Sequence, residues 1–186
     1  LKTYFSFFSL RKMGQYYYPI ILDNEGKIVV WMCAYDYGNG LKLTEHSYIG
    51  NNFVSTFEYG LCPSGIYHKS RVVWAGDYAD PDPDHTENLY HQCNEYNKII
   101  PETKDTSIYQ FVVNHSKRQF VDKSKVPKGE LRFHPLPLLT AEGNGRGGGD
   151  YRGKSENLVG IWARDIISVE ETAPSDFEEI LFDLIE

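Results

Sequence analysis

The chain predicts an α+β fold: a single domain with a mostly antiparallel sheet and about three helices. Three observations carry that prediction. β-rich runs outnumber helical patterns, several of them are joined by turn clusters that read as hairpins, and the helical patterns fall between them without strict alternation. At 186 residues, with 41% hydrophobic and 24% charged side chains, the chain can bury one core and lies outside the disordered class. The domain is expected over 13–186, because Met13-Gly14 opens a convincing chain of its own. Residues 1–12 read as an N-terminal extension expected to be disordered; their apolar stretch at 5–10 is shorter than a signal core.

In chain order, 17–22 and 27–32 are β-rich runs flanking Asp23-Asn24-Glu25-Gly26, a hairpin signal. Residues 35–40 are a turn cluster. Residues 43–59 predict a helix with Ile49, Phe53, Val54 and Phe57 on one face and Thr44 as its cap, although Gly50 interrupts the pattern. Residues 71–75 read as a short buried strand. It runs into 76–84, where Pro81 and Pro83 forbid further pairing. Residues 86–98 predict a second helix with Leu89, Cys93 and Tyr96 inward. Residues 108–113 and 118–122 form a second hairpin, and 130–133 a strand stopped by His134-Pro135-Leu136-Pro137. A glycine-rich loop at 143–153 precedes strands at 158–163 and 166–169. The C-terminus predicts the clearest helix, with Ser175 and Glu178 as a capping box and Phe177, Ile180, Leu181 and Leu184 as its stripe.

Function is read first from charge. Residues 165–186 hold eight carboxylates and no Lys or Arg, a balance of −8; residues 77–102 add −6; residues 103–154 carry +5 within a net charge of −7. Sorting of this kind builds a directional field and predicts a protein that acts by docking. Three widely spaced cysteines, Cys33, Cys62 and Cys93, fit buried thiols in a reducing cytoplasm better than a disulfide framework. No apolar run approaches a membrane span.

Asp77, Asp80, Asp82 and Asp84 are the sharpest constellation. Three readings stand side by side: an oxygen-rich metal site, a rigid ladder of carboxylates facing a partner's arginines, and a solvated turn. With Glu178, Glu179 and Asp183 they are the expected partner-binding set. Lys117, Arg118, Lys123, Lys125 and Lys128 form a basic run, and with Arg146 and Arg152 of the glycine-rich loop they are the expected nucleic-acid contacts, against the plainer reading of a polar sheet face. The six histidines fall into no metal-ligand pattern, no catalytic motif is present, and neither a metal nor a cofactor is expected. The alternative is a metal-dependent hydrolase or nucleotide-processing enzyme using Asp77, Asp80, Asp82 or Glu142 with a neighbouring histidine.

The runs Met13-Gly14-Gln15-Tyr16-Tyr17, 34–51 (Ala-Tyr-Asp-Tyr-Gly-Asn-Gly-Leu-Lys-Leu-Thr-Glu-His-Ser-Tyr-Ile-Gly-Asn), 71–80 (Arg-Val-Val-Trp-Ala-Gly-Asp-Tyr-Ala-Asp), 134–151 and 158–164 together resemble a family of short proteins from phages and mobile elements of gut bacteria. The resemblance covers most of 13–170 and implies kinship with a type II-A anti-CRISPR, an inhibitor of the RNA-guided DNA nuclease. It implies a cytoplasmic protein whose partner is that nuclease, together with its guide RNA, and it carries over no catalytic residue. Such a nuclease reads its recognition element with arginines inside a positive channel, where acidic faces can compete.

Overall fold

The computed structural model describes residues 15–143, 151 and 155–184. Its sheet grows from Tyr17–Leu22 (β1), which is apolar and buried at nearly every position. β1 turns through Asp23–Gly26, where Asp23 accepts from the amides of Glu25 and Lys27, into Ile28–Trp31 (β2). Pro19 is tolerated inside β1 because its carbonyl accepts from Met32 N at 3.1 Å, which puts its missing amide on the β2 side, where β2 has just ended, so no bond between β1 and β3 is lost. Ser70–Gly76 (β3) pairs antiparallel with the whole of β1, from Tyr17↔Gly76 to Leu22↔Arg71.

Phe111–Asn114 (β4) and Gln119–Asp122 (β5) form the second hairpin, and Ile166–Glu170 (β7) joins it to β3. The sheet order is β2-β1-β3-β7-β4-β5-β8, where β8 is Glu178–Glu179. Ala141–Glu142 (β6) pairs parallel with β3, and β8 parallel with β5; every other pairing between these strands is antiparallel. The fold is α+β, as the sequence predicts.

Both faces of the sheet are covered. On one, Trp74 packs edge-on against Phe53 and Phe57 of Asn52–Leu61 (α2). On the other, Tyr18 stacks on Tyr90 of Leu89–Gln92 (α3) at 4.2 Å and packs against Trp31. Two further short helices, Leu43–His46 (α1) and Pro135–Leu139 (α4), close the Trp74 side.

Several elements differ from expectation for identifiable reasons. The helix expected over 43–59 is split into α1 and α2. Gly50 takes φ +89°, and Asn51 caps α2 through Phe53 N and Val54 N, so Thr44 is not the cap. The helix expected over 86–98 stops after α3 and one 3-10 turn. Residues 96–99 then extend along β2, with Trp31 N donating to Asn97 O and Ile99 N to Trp31 O. The strand expected over 130–133 is reduced to a single bridge, Tyr48↔Phe133. Beyond it, Pro135 takes the first turn of α4, a position that needs no amide proton.

The strand expected over 158–163 is a run of turns that donates Gly160 N to Leu138 O and Trp162 N to Leu139 O. The expected C-terminal helix is an extended strap: Glu178 N donates to Arg118 O and Ile180 N to Phe120 O, with Phe182 and Leu184 buried and Leu181 outward. Most of the glycine-rich loop, with Arg146 and Arg152, lies outside the described residues.

Candidate functional site

β3 delivers the chain into the aspartate loop, and the four carboxylates there have different fates. Asp77 accepts from Tyr16 N at 3.1 Å, and burial raises its carboxyl above the ordinary value despite that bond. Asn88 braces the loop by donating to Asp77 O and Ala79 O, while its oxygen caps α3. Asp82 is held by Arg164, whose Nη1 lies 2.8 and 2.9 Å from its two oxygens. The same guanidinium forks onto Glu142 at the end of β6, at 2.8 and 2.6 Å. Burial works against the charge on Arg164, but the two carboxylates outweigh it and raise its pKa. Arg164 itself sits at φ +65°, a conformation that costs a non-glycine residue energy and that the paired ions help to hold. Asp80 and Asp84, on either side of the anchored Asp82, are exposed and have no ion-pair partner among the described residues.

The two charge blocks that are separate in sequence meet in space. Lys117 pairs with Asp165 at 2.8 Å, Arg118 with Asp176, and Lys125 with Glu179 at 2.6 Å; Gln119 donates to Glu178. Arg118, at φ +56° in the hairpin turn, also lies over the Phe177 ring. These pairs are largely solvent-exposed and add little to stability. Their consequence is electrostatic: the basic hairpin and the acidic strap neutralise one another. Asp183 is half-buried and engaged. Lys128 is exposed and, among the expected nucleic-acid contacts that are described, is the one without an acidic partner.

Lys123 does something else, which sequence reasoning missed. It reaches inward to Glu58, Nζ to Oε1 at 2.7 Å, with Glu58 1% exposed. Thr106 donates to the other carboxylate oxygen at 2.9 Å. His134 Nε2 lies 3.0 Å from Glu58 Oε1, close enough for an ion pair but off the line of a hydrogen bond. Leu136 N donates to His134 Nδ1, so the imidazole proton resides on Nε2.

Burial opposes ionisation of Glu58, but His134 and Lys123 overcome it and hold the carboxyl at about 2. Burial also lowers the pKa of His134, against the pull of the Glu58 carboxylate, so Lys123 is the permanent cation of the centre. The centre floors a cleft of about 440 Å³ whose walls include Asn52, Ser55, Thr103 and Ser107. One sequence signal was available. Glu58 lies four residues after the core position Val54, on the buried face of α2.

Two histidine groups complete the polar interior. His46 takes a bond from Trp74 Nε1 at 2.9 Å and faces Gly40 O with Nδ1 at 3.0 Å; burial pulls its pKa to about 4, so it is neutral. His115, Ser168, Glu170 and His68 form a chain of contacts of 2.8, 2.6 and 2.9 Å. Ser168 is fully buried in β7, so this chain reads as a structural wire. Among the described residues no group of three or more His, Cys, Asp or Glu side chains is assembled as metal ligands. Two carboxylates that an acid–base reading would use, Asp82 and Glu142, are both committed to Arg164. No helix among the described residues is long and apolar enough to cross a membrane. No family model, curated protein or solved structure matches this chain.

Proposed function

We propose that this chain is a non-catalytic inhibitor from a phage or mobile element that acts in the bacterial cytoplasm, binding a type II CRISPR RNA-guided DNA nuclease and blocking DNA engagement or cleavage. The observation that carries the reading is the anchoring of Asp82 by Arg164, which holds the loop in place while its neighbours Asp80 and Asp84 stay exposed, with no ion-pair partner among the described residues. A preorganised pair of carboxylates is suited to arginines that otherwise hold phosphate, because little ordering entropy is lost on docking. The resemblance of the 34–51 and 71–80 runs to the inhibitor family supports the same partner. The acidic strap contributes less than its sequence implies, since Asp176 and Glu179 are matched within the chain. Among the described residues, contact with guide RNA falls chiefly to Lys128, because Lys117, Arg118, Lys123 and Lys125 each have an internal acceptor; Arg146 and Arg152 lie outside them.

The test is reconstituted DNA cleavage by the guide-loaded nuclease with increasing amounts of this protein. Wild type should suppress cutting stoichiometrically, with an affinity that falls as salt rises. The double variant Asp80→Lys/Asp84→Lys should lose inhibition with an unchanged circular dichroism spectrum. Arg164→Lys, which keeps the charge but not the fork, should weaken it. Cleavage that continues unaltered at large molar excess of wild type would end the proposal.

A further inference from the structure

The cleft above Glu58 carries chemistry that the docking surface does not use. One wall is a face of α2, along which Asn52, Ser55 and Glu58 follow one another a helical turn apart, and the other is the loop 103–107. Thr106 Oγ1 donates to Glu58 Oε2 at 2.9 Å and Thr56 Oγ1 to Thr103 Oγ1 at 3.2 Å, so the walls are tied together before anything enters. At about 440 Å³ the space is that of a small-molecule site.

The floor has committed its acceptors and kept donors in reserve. Lys123 and Thr106 each take one carboxylate oxygen of Glu58. His134 is 2% exposed and holds its proton on Nε2, which makes no hydrogen bond among the described residues. Lys123 Nζ carries more N–H groups than its single bond to Glu58 uses. Charge, by contrast, is closed: Glu58 and Asp105 are matched in number by Lys123 and Lys104, so neither an anion nor a cation finds an unmatched counter-charge. No Phe, Tyr or Trp lines the space, which leaves a nucleobase no face to stack on. Ser55, Thr103 and Ser107 add hydroxyls, groups that both give and accept.

We propose that this cleft binds a small uncharged polyol of monosaccharide size. A ligand hydroxyl oxygen at the floor accepts from His134 Nε2 and Lys123 Nζ, and the remaining hydroxyls exchange bonds with Ser55, Thr103 and Ser107. Such a ligand is the one class that meets all three properties of the site. It supplies the acceptor that the buried donors lack, it brings no charge into a cleft whose charges are already matched, and it needs no aromatic platform. The tied walls keep the ordering cost of binding low. The cleft shares no residue with the aspartate loop, so the site stands whether or not the nuclease is the target.

Heteronuclear NMR titration of the full chain with myo-inositol and D-glucose tests it. Both probes should move the Ser55, Thr106 and Ser107 amide resonances saturably. Cyclohexanol, a ring with a single hydroxyl, and inorganic phosphate should leave them in place. Ser55→Leu puts a good helix former into the cleft, so it should stay folded by circular dichroism and raise the dissociation constant about tenfold or more. Ser107→Val, on the loop wall, repeats the test independently of α2 and should raise it by a smaller factor. If neither polyol moves these resonances up to its solubility limit, the cleft holds ordered water only and the proposal is overturned. A response to phosphate or cyclohexanol that equals the polyol response overturns it as well, as does polyol binding that both folded variants leave unchanged.

Discussion

Replacing Lys123 with Met should destabilise this protein more than any exposed charge change in the basic hairpin. The substitution preserves the aliphatic stem but leaves Glu58, 1% exposed, without its permanent cation, facing a His134 whose burial disfavours the charged ring. Breaking a buried pair from one side costs about 3–5 kcal/mol, because the surviving charge stays desolvated. The direction agrees, because the charges of His134 and Lys123 hold the Glu58 carboxyl below its ordinary value against the cost of burial.

For a chain of this length that loss lowers the melting temperature by roughly 10 °C. The sign with pH follows from the depressed carboxyl. Its contribution is complete above 4.5 and is lost as pH falls toward 2, so wild type should weaken across that window while Glu58→Gln lacks that part of the slope. Urea denaturation of wild type, Lys123→Met and the apolar double variant Glu58→Leu/Lys123→Met measures all of this, and the double variant should recover much of the single loss. A single-variant loss below about 1 kcal/mol, the range of an exposed pair, would refute the reasoning.

Other outcomes are expected from the same structure. Gly50→Ala should cost about 1 kcal/mol or more in urea denaturation, because φ +89° between α1 and α2 is strained for alanine. Glu178→Pro removes the amide that donates to Arg118 O, so hydrogen exchange at Ile180 N and in β5 should accelerate while β1 and β3 stay protected. His46 should remain neutral in an NMR titration down to about pH 5, with its low value near 4 set by burial and the Trp74 Nε1 proton resonance unmoved over that range.

The parts of this fold that were legible in the sequence are those where one local pattern admits one structure. The first hairpin, β3, the second hairpin and β7 are short β-branched runs bounded by turn chemistry, and their positions hold within a residue or three. The misread elements are those in which a local pattern fits two periods. Phe177, Ile180, Leu181 and Leu184 satisfy a helical stripe, but Ile180, Phe182 and Leu184 also alternate, and the unpaired edge of β5 selected the extended form. The same holds for 96–99, which left a helical pattern to cover the edge of β2. The candidate site divides in the same way. The aspartate loop could be read directly, whereas its anchor Arg164 lies 82 residues from Asp82 and the Glu58 centre draws on residues 48 and 65 positions away.

Composition, hydrophobic patterning and charge order, properties of the chain alone, determined that this is a cored α+β fold with an acidic loop, a basic hairpin and an acidic tail. Whether those charges face outward could be decided only by the fold. Coulomb attraction acts through space, so it paired Arg118 with Asp176 and Lys125 with Glu179 once β8 had aligned on β5, and it turned Lys123 inward onto a carboxylate buried by α2. Asp80 and Asp84, beside an anchored Asp82, are among the charges that the fold leaves exposed and without an ion-pair partner among the described residues.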